Sequence, residues 1–210
     1  MMEIAPIVFV VDDDASVRKS VSRLLNSAGY RAETFACARE FLQREAYPGP
    51  SCLVLDVKLP DLNGLELQQA LAGTAHTLPI IFISGHGDIP TSVRAMKKGA
   101  VDFLPKPFRA QDLLRVIGEA LERSRREQKE RLEIATVQKR LARLTPREYE
   151  VLCSVVAGKL NKQIAAELRV REKTVKVHRG HVMEKMEVNS VAELVRLAER
   201  GGVIPTLLHA

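Results

Sequence analysis

Tryptophan is absent from the 210 residues, and three tyrosines and six phenylalanines bring the aromatics to only 4%. Any core must therefore be built mainly from Leu, Val, Ile and Ala. Cysteine is nearly absent too: Cys37, Cys52 and Cys153 are odd in number and widely spaced. That argues against a disulfide framework and a thiolate zinc site, and it fits a reducing cytoplasm. No run of about 18 apolar residues occurs, so no segment is expected to span a bilayer. A secretory signal is not expected either. The apolar run Ile4–Val11 has no basic residue before it and three aspartates after it, the reverse of what secretion requires. What is present is ordinary for a globular chain: 46% hydrophobic and 28% charged residues, which argues against wholesale disorder or a collagen-like repeat.

The net charge of +6 is unevenly placed. Residues 1–120 hold 13 Lys/Arg and 14 Asp/Glu, whereas residues 121–210 hold 19 and 12. A near-neutral part joined to a basic part suggests a regulator attached to a nucleic-acid-binding module. A merely solvated basic helix would show the same charge.

The first 120 residues alternate short apolar runs with helical patterns. Ile7–Val11, Arg31–Phe35, Cys52–Leu55, Ile80–Ile83 and Val101–Leu104 read as strands. Ala15–Ala28, Ala38–Glu45, Leu65–Ala72, Thr91–Lys98 and a segment from Gln111 read as helices. Gly29 and Gly99 stand where left-handed helix stops are expected. Five βα units predict an α/β fold with a doubly wound parallel sheet. Residues 121–143, dense in Glu, Arg, Lys and Gln with a sparse apolar stripe, read as a helical linker. Residues 144–210 read as all-α with four helices. Thr145-Pro146-Arg147-Glu148 is a helix start. Asn161 is the expected cap of the second helix, Arg169-Val170-Arg171 a tight turn, Glu172–Met186 the third helix and Ser190 the cap of the fourth. A second helix turning sharply into a third is helix-turn-helix geometry.

In a doubly wound sheet, functional groups gather at the carboxyl ends of strands. Asp12, Asp13 and Asp56 would converge there and repel one another. A hard divalent cation resolves this, and Mg²⁺ suits a small cluster of oxygen ligands. Lys106 would stand opposite as a fixed positive charge, and Ser84 would add a hydroxyl. Together these parts suit a phosphoryl group carried on Asp56 as nucleophile. In the basic part, Lys173, Lys176, Arg179 and Lys185 on the third helix can meet phosphates, with Thr174 and Val177 on neighbouring faces. Ile164, Ala165, Leu168, Val170, Val175, Val182 and Met186 read as core.

These residues carry a resemblance. Val10-Val11-Asp12-Asp13-Asp14, Leu53-Val54-Leu55-Asp56, Leu59-Pro60-Asp61-Leu62-Asn63-Gly64 and Phe103-Leu104-Pro105-Lys106-Pro107-Phe108 resemble the signature of CheY-like two-component receiver domains. Leu144-Thr145-Pro146-Arg147-Glu148, Asn161-Lys162-Gln163-Ile164-Ala165 and Thr174-Val175-Lys176-Val177-His178-Arg179 resemble the LuxR-type helix-turn-helix. Their order is that of NarL/FixJ response regulators. Gly85-His86-Gly87-Asp88-Ile89-Pro90 and the segment from His178 to Met186 are similar to the FixJ branch.

The resemblance implies that Asp56 accepts a phosphoryl group from a sensor histidine kinase. Asp12, Asp13, Asp56 and the backbone carbonyl of Lys58 would serve Mg²⁺. Ser84 would be the switch hydroxyl, Phe103 the switch aromatic, and Lys106–Pro107 a cis bond. It implies that Lys176 and Val177 face bases, with Lys162, Lys173, Thr174 and Arg179 completing the DNA contacts. The implied partners are double-stranded promoter DNA, a second copy of the chain when phosphorylated, and RNA polymerase. No turnover enzyme is implied. Arg169 and Glu187 stand where the family commonly has Gly, and a left-handed residue other than Gly costs roughly 1 kcal/mol. Gly180 stands where some relatives carry a base-contacting Lys.

Other readings fit less well. A phosphatase of the haloacid-dehalogenase kind wants an acid two residues after its nucleophile, where this chain has Lys58. A flavodoxin-like binder wants Gly, Ser or Thr after the first strand, where three aspartates would repel phosphate. A constitutive DNA binder with a purely structural receiver would not need every acceptor-site residue.

Overall fold

The computed structural model describes residues 4–73, 78–85 and 89–203. The chain divides into two compact units, Met1–Lys129 and Glu130–Ala210.

The first unit is a five-stranded sheet of β1 (Ile7–Val11), β2 (Arg31–Phe35), β3 (Ser51–Asp56), β4 (Ile80–Ser84) and β5 (Asp102–Pro105). All neighbours are parallel, in the order β2-β1-β3-β4-β5. Between the strands run α1 (Ala15–Ser27), α2 (Ala38–Gln43), α3 (Gly64–Ala72) and α4 (Ile89–Lys97), and α5 (Ala110–Leu141) follows β5. Alternate residues of β1 explain the layering. Ile7, Phe9 and Val11 enter one apolar cluster with Phe41 of α2, Leu67 of α3 and Ala95 of α4. Val8 and Val10 enter another with Val21 and Leu25 of α1 and Leu113 and Ile117 of α5. Because β1, β3 and β4 are covered on both faces, Ile7–Val11, Cys52–Leu55 and Ile80–Ile83 are unbroken apolar runs. β2 lies at the sheet edge and its residues are half-buried or exposed, which accounts for its weaker strand pattern.

Helix ends follow expected chemistry in most places. Asp14 caps α1, accepting from the Ser16 and Val17 amides, and Gly29 (φ 83°) and Gly99 (φ 88°) occupy the left-handed positions after α1 and α4. The helix expected over Ala38–Glu45 stops earlier, at Gln43. Its N-terminus is served from a distance: the Asp61 carboxylate, in the loop after β3, accepts from the Ala38 and Arg39 amides at 3.2 and 2.8 Å.

The residues read as a linker are part of α5. Leu121 is buried in the first unit, and Val137 is buried in the second with Leu141 packed beside it. The sparse apolar stripe is therefore shared between two cores rather than spent on one exposed rod.

The second unit contains the end of α5, α6 (Pro146–Val156), α7 (Asn161–Glu167), α8 (Glu172–Lys185) and α9 (Val191–Arg200). Its core holds Val151 and Leu152 of α6, Ile164 of α7, Val175 and Val182 of α8 and Leu194 of α9. Thr145 and Glu148 form the anticipated capping box at α6, and Ser190 caps α9. Asn161 departs from expectation: it is the first helical residue, and the cap position is Leu160. The Gln163 side chain closes that end by accepting from the Leu160 amide at 2.7 Å. Asn161 is thereby released for another contact, described below.

Arg169 (φ 51°) and Glu187 (φ 55°) do adopt left-handed backbone. Glu187 gains ion pairs with Arg140 and Arg143 at 2.7 and 2.9 Å, whereas the Arg169 side chain is exposed. Arg169→Gly is therefore expected to stabilise the second unit by roughly 0.5–1 kcal/mol, because steric relief exceeds the entropy of the added glycine. An unchanged or lower melting temperature in scanning calorimetry would contradict this.

Candidate functional site

Strand register builds the site. Val11 of β1 pairs with Leu55 of β3, so the next residues, Asp12 and Asp56, emerge side by side at the sheet's carboxyl edge. This is also where the strand order reverses, with β1 lying between β2 and β3, the usual place for a ligand crevice. Asp56 pairs with Ile83, which puts Ser84 one step further along, and Ser84 pairs with Pro105, which delivers Lys106.

The resulting cluster is compact. One carboxylate oxygen each from Asp12, Asp13 and Asp56 lie within 4.8 Å of one another. Lys106 Nζ donates to Asp12 Oδ2 at 2.6 Å and to Asp56 Oδ2 at 2.9 Å. Asp12 Oδ1 accepts from the Asp14 amide at 2.9 Å, and Asp56 Oδ1 from the Lys58 amide at 3.3 Å. Burial lifts the Asp12 carboxyl above its ordinary range, against the pull of Lys106 and the Asp14 amide. For Lys106, burial pushes the ammonium down, but its two carboxylate partners outweigh that and hold it above the ordinary lysine value. Three acids facing one ammonium leave an excess of negative charge and hard oxygen lone pairs. That donor set fits Mg²⁺.

The neighbouring residues are equally constrained. A Cβ on Gly64 would stand 2.4 Å from the Asp56 carbonyl oxygen, so only glycine lets α3 start this close to the site. Ser84 is buried at the end of β4, and its carbonyl accepts from the Lys106 amide at 2.7 Å. The Lys106–Pro107 bond is cis. Phe103 is half-buried, its ring stacked 6.2 Å from that of Phe82. Lys58 is exposed in the loop just past Asp56. Of the Gly85–Pro90 motif, residues 86–88 lie outside the described residues.

The second unit offers a different surface. On α8, Lys173, Thr174, Lys176 and Val177 are exposed, and Lys162 is exposed on α7. Nothing lies near the position of a Cβ on Gly180, so the helix surface is open there. Two basic residues are otherwise engaged. Arg179 is half-buried and donates to Asn161 Oδ1 at 2.8 Å, tying α8 to α7. Lys185, read from sequence as able to meet phosphate, donates to Glu148 Oε2 at 2.6 Å.

Glu148 is the residue whose importance exceeds its sequence signal. Only 4% exposed, it accepts from the Thr145 amide and Lys185, and Oε1 lies 3.5 Å from His181 Nδ1. The Lys185 ammonium, with the Thr145 amide, holds its carboxyl down at about 2. His178 lies in the same cluster, but the ammonium on Glu148 already supplies the balancing charge, so the group reads as a staple between α6 and α8.

A parallel sheet with a lysine-bridged acidic cluster, carried in one chain with a helix-turn-helix, defines a signal-receiving transcription regulator. Residues 8–118 match the response regulator receiver domain, and residues 142–198 match the luxR family of bacterial regulatory proteins. The chain belongs to the two-component response regulators that join a receiver to a LuxR-type DNA-binding domain, the group that includes FixJ. It is 50% identical to nodulation protein W of Bradyrhizobium diazoefficiens, over 94% of this chain and 87% of that protein. It is 42% identical to the transcriptional regulatory protein FixJ of the same organism, over 94% of this chain and 96% of that one. The solved structure of the response regulator StyR is similar at a TM-score of 0.84 and 47% identity, covering 94% of this chain and all of that one. No helix among the described residues is long and apolar enough to cross a membrane.

Proposed function

We propose that this response regulator is switched by phosphorylation of Asp56 and that the switch controls sequence-specific binding of promoter DNA. The observation that carries the reading is the Lys106 ammonium bridging Asp12 and Asp56 at 2.6 and 2.9 Å, beside Asp13. An Asp56 oxygen attacks the phosphorus of a kinase phosphohistidine. The oxygen–phosphorus bond forms, the nitrogen–phosphorus bond breaks, and the imidazole leaves. Asp12, Asp13, Asp56 and the Lys58 carbonyl would hold Mg²⁺, which when bound neutralises charge on the phosphoryl oxygens. Lys106 exchanges part of its contact with Asp56 for the new anion. Ser84 follows toward that anion, and Phe103 turns into the space it leaves. The effect is a bias on a two-state equilibrium rather than a new state.

In this reading residues 1–120 are the receiver, 121–143 the helical linker and 144–210 the DNA-binding domain. The chain acts in the cytoplasm, where its DNA is, accepts the phosphoryl group without being a turnover enzyme, forms a homodimer when phosphorylated and engages RNA polymerase at the promoter. Lys173 and Lys162 serve phosphates, and Arg179 adds to them through the guanidinium donors that it does not give to Asn161. Thr174, Lys176 and Val177 point toward the groove, Lys176 and Val177 reading bases.

The test uses DNA selected from a random-sequence pool by phosphodonor-treated protein. Lys176→Ala is expected to weaken binding to that DNA by about 1–3 kcal/mol at fixed salt, while non-specific binding falls far less. Equal losses on both DNAs, or no loss, would remove Lys176 from base readout. Affinity that ignored phosphodonor treatment of the wild type would defeat the switch itself.

A further inference from the structure

We infer that Arg18 is a positioning residue for the Mg²⁺ site, clamping the loop that carries Asp12 and Asp13; this rests on the proposed role of those carboxylates. Arg18 is half-buried in the first turns of α1 and is not itself a ligand. Its Nη1 donates to the backbone carbonyl of Asp12 at 2.6 Å and to that of Asp13 at 2.9 Å. One guanidinium nitrogen thus holds the two consecutive peptides whose side chains enter the cluster.

The loop is pinned from both sides. From inside, Asp12 Oδ1 accepts the Asp14 amide and Asp14 caps α1. From outside, Arg18 holds the carbonyls. Asp12 is fully buried, but Asp13 is exposed, so its direction depends on how its backbone is held. Arg18 supplies that hold. It does so without occupying any carboxylate oxygen of the cluster. Lys106 differs here, because it occupies carboxylate oxygens of Asp12 and Asp56 themselves. A charge carried on carbonyls steadies the loop in either state, and groups that orient metal ligands from behind carry a large share of metal affinity.

The test is calorimetric titration of the full-length protein with Mg²⁺ alone, for wild type, Arg18→Ala and Arg18→Lys, alongside phosphoryl uptake from a small phosphodonor at varied Mg²⁺. Arg18→Ala is expected to weaken Mg²⁺ binding about tenfold. Its half-saturating Mg²⁺ for phosphoryl uptake rises by the same factor, with the plateau rate near wild type. Arg18→Lys, which keeps the charge but loses the guanidinium reach, falls between the two. Unchanged Mg²⁺ affinity in Arg18→Ala would overturn the inference, as would a lower plateau with half-saturation unmoved. If Arg18→Ala lost its melting transition, Arg18→Lys would decide by the same two readouts. Wild-type protein that bound Mg²⁺ yet took no phosphoryl group would overturn the acceptor reading alone, with Arg18 still decided by calorimetry.

Discussion

Asp56→Ala is expected to abolish the phosphodonor-dependent gain in DNA affinity while leaving the basal affinity and the fold intact. The carboxylate lies at the end of β3, beside Asp12 and within 2.9 Å of Lys106. Its removal takes away the proposed acceptor oxygen, and Asp12 is poorly placed to replace it, being fully buried and held by Lys106 and the Asp14 amide. The fold tolerates the loss because Lys106 keeps Asp12 as partner, and because the Asp12 carboxyl, raised chiefly by burial, is raised a little further by the charge of Asp56. Stability without divalent cations should therefore hold within about 1 kcal/mol of wild type, or rise. Binding curves with and without phosphodonor check the first claim and scanning calorimetry the second. A phosphodonor response that survived in the variant would move the acceptor elsewhere.

Glu148→Ala should produce a large loss of stability in the second unit. The buried carboxylate closes the α6 capping box and takes the Lys185 ammonium of α8. Truncation leaves the Thr145 amide without its acceptor and Lys185 without its partner, at a combined cost of about 3 kcal/mol. For a unit of this size that lowers the melting temperature by roughly 10 °C or more. Glu148→Gln, which can still accept from the amide, should lose about half as much.

The sign with pH follows from the depressed carboxyl. Held at about 2 against an ordinary value of 4.5, Glu148 contributes stability that is fully present above 4.5. That contribution is lost as pH falls from there toward about 2. Acid titration of the wild type, followed by circular dichroism, should show this loss. The Glu148→Ala curve should be flatter over the same window, and parallel curves would contradict the assignment. Because α8 carries the exposed lysines, DNA binding should weaken with the staple.

The convergence of the acidic cluster was legible because its members sit at strand ends, and in a parallel sheet a strand end has one address. The apolar runs Ile7–Val11 and Cys52–Leu55 already imply that Asp12 and Asp56 meet. The left-handed backbone at Arg169 and Glu187 was legible only through the resemblance, since these are positions where the family commonly has Gly. Contacts closed over long separations were not legible. Asp61 serves an α2 terminus 22 or 23 residues away in sequence, and no local pattern announces that. Asn161 has the chemistry of a cap, but Gln163 took that task and left Asn161 to Arg179. Lys185 read as one more basic residue on a helix because the acid it faces lies 37 positions earlier. Division of the α5 stripe between two cores was hidden because a helix of even composition gives no sign of where one core ends.

In the proposed switch this regulator carries its signal as one phosphoryl group on Asp56, taken up in the presence of Mg²⁺. Intact mass after incubation with a small phosphodonor, with and without Mg²⁺, tests it most directly. One Mg²⁺-dependent phosphoryl group is expected on the wild type and none on Asp56→Ala. A wild type left unmodified under every condition, or a variant modified as fully as the wild type, would contradict it.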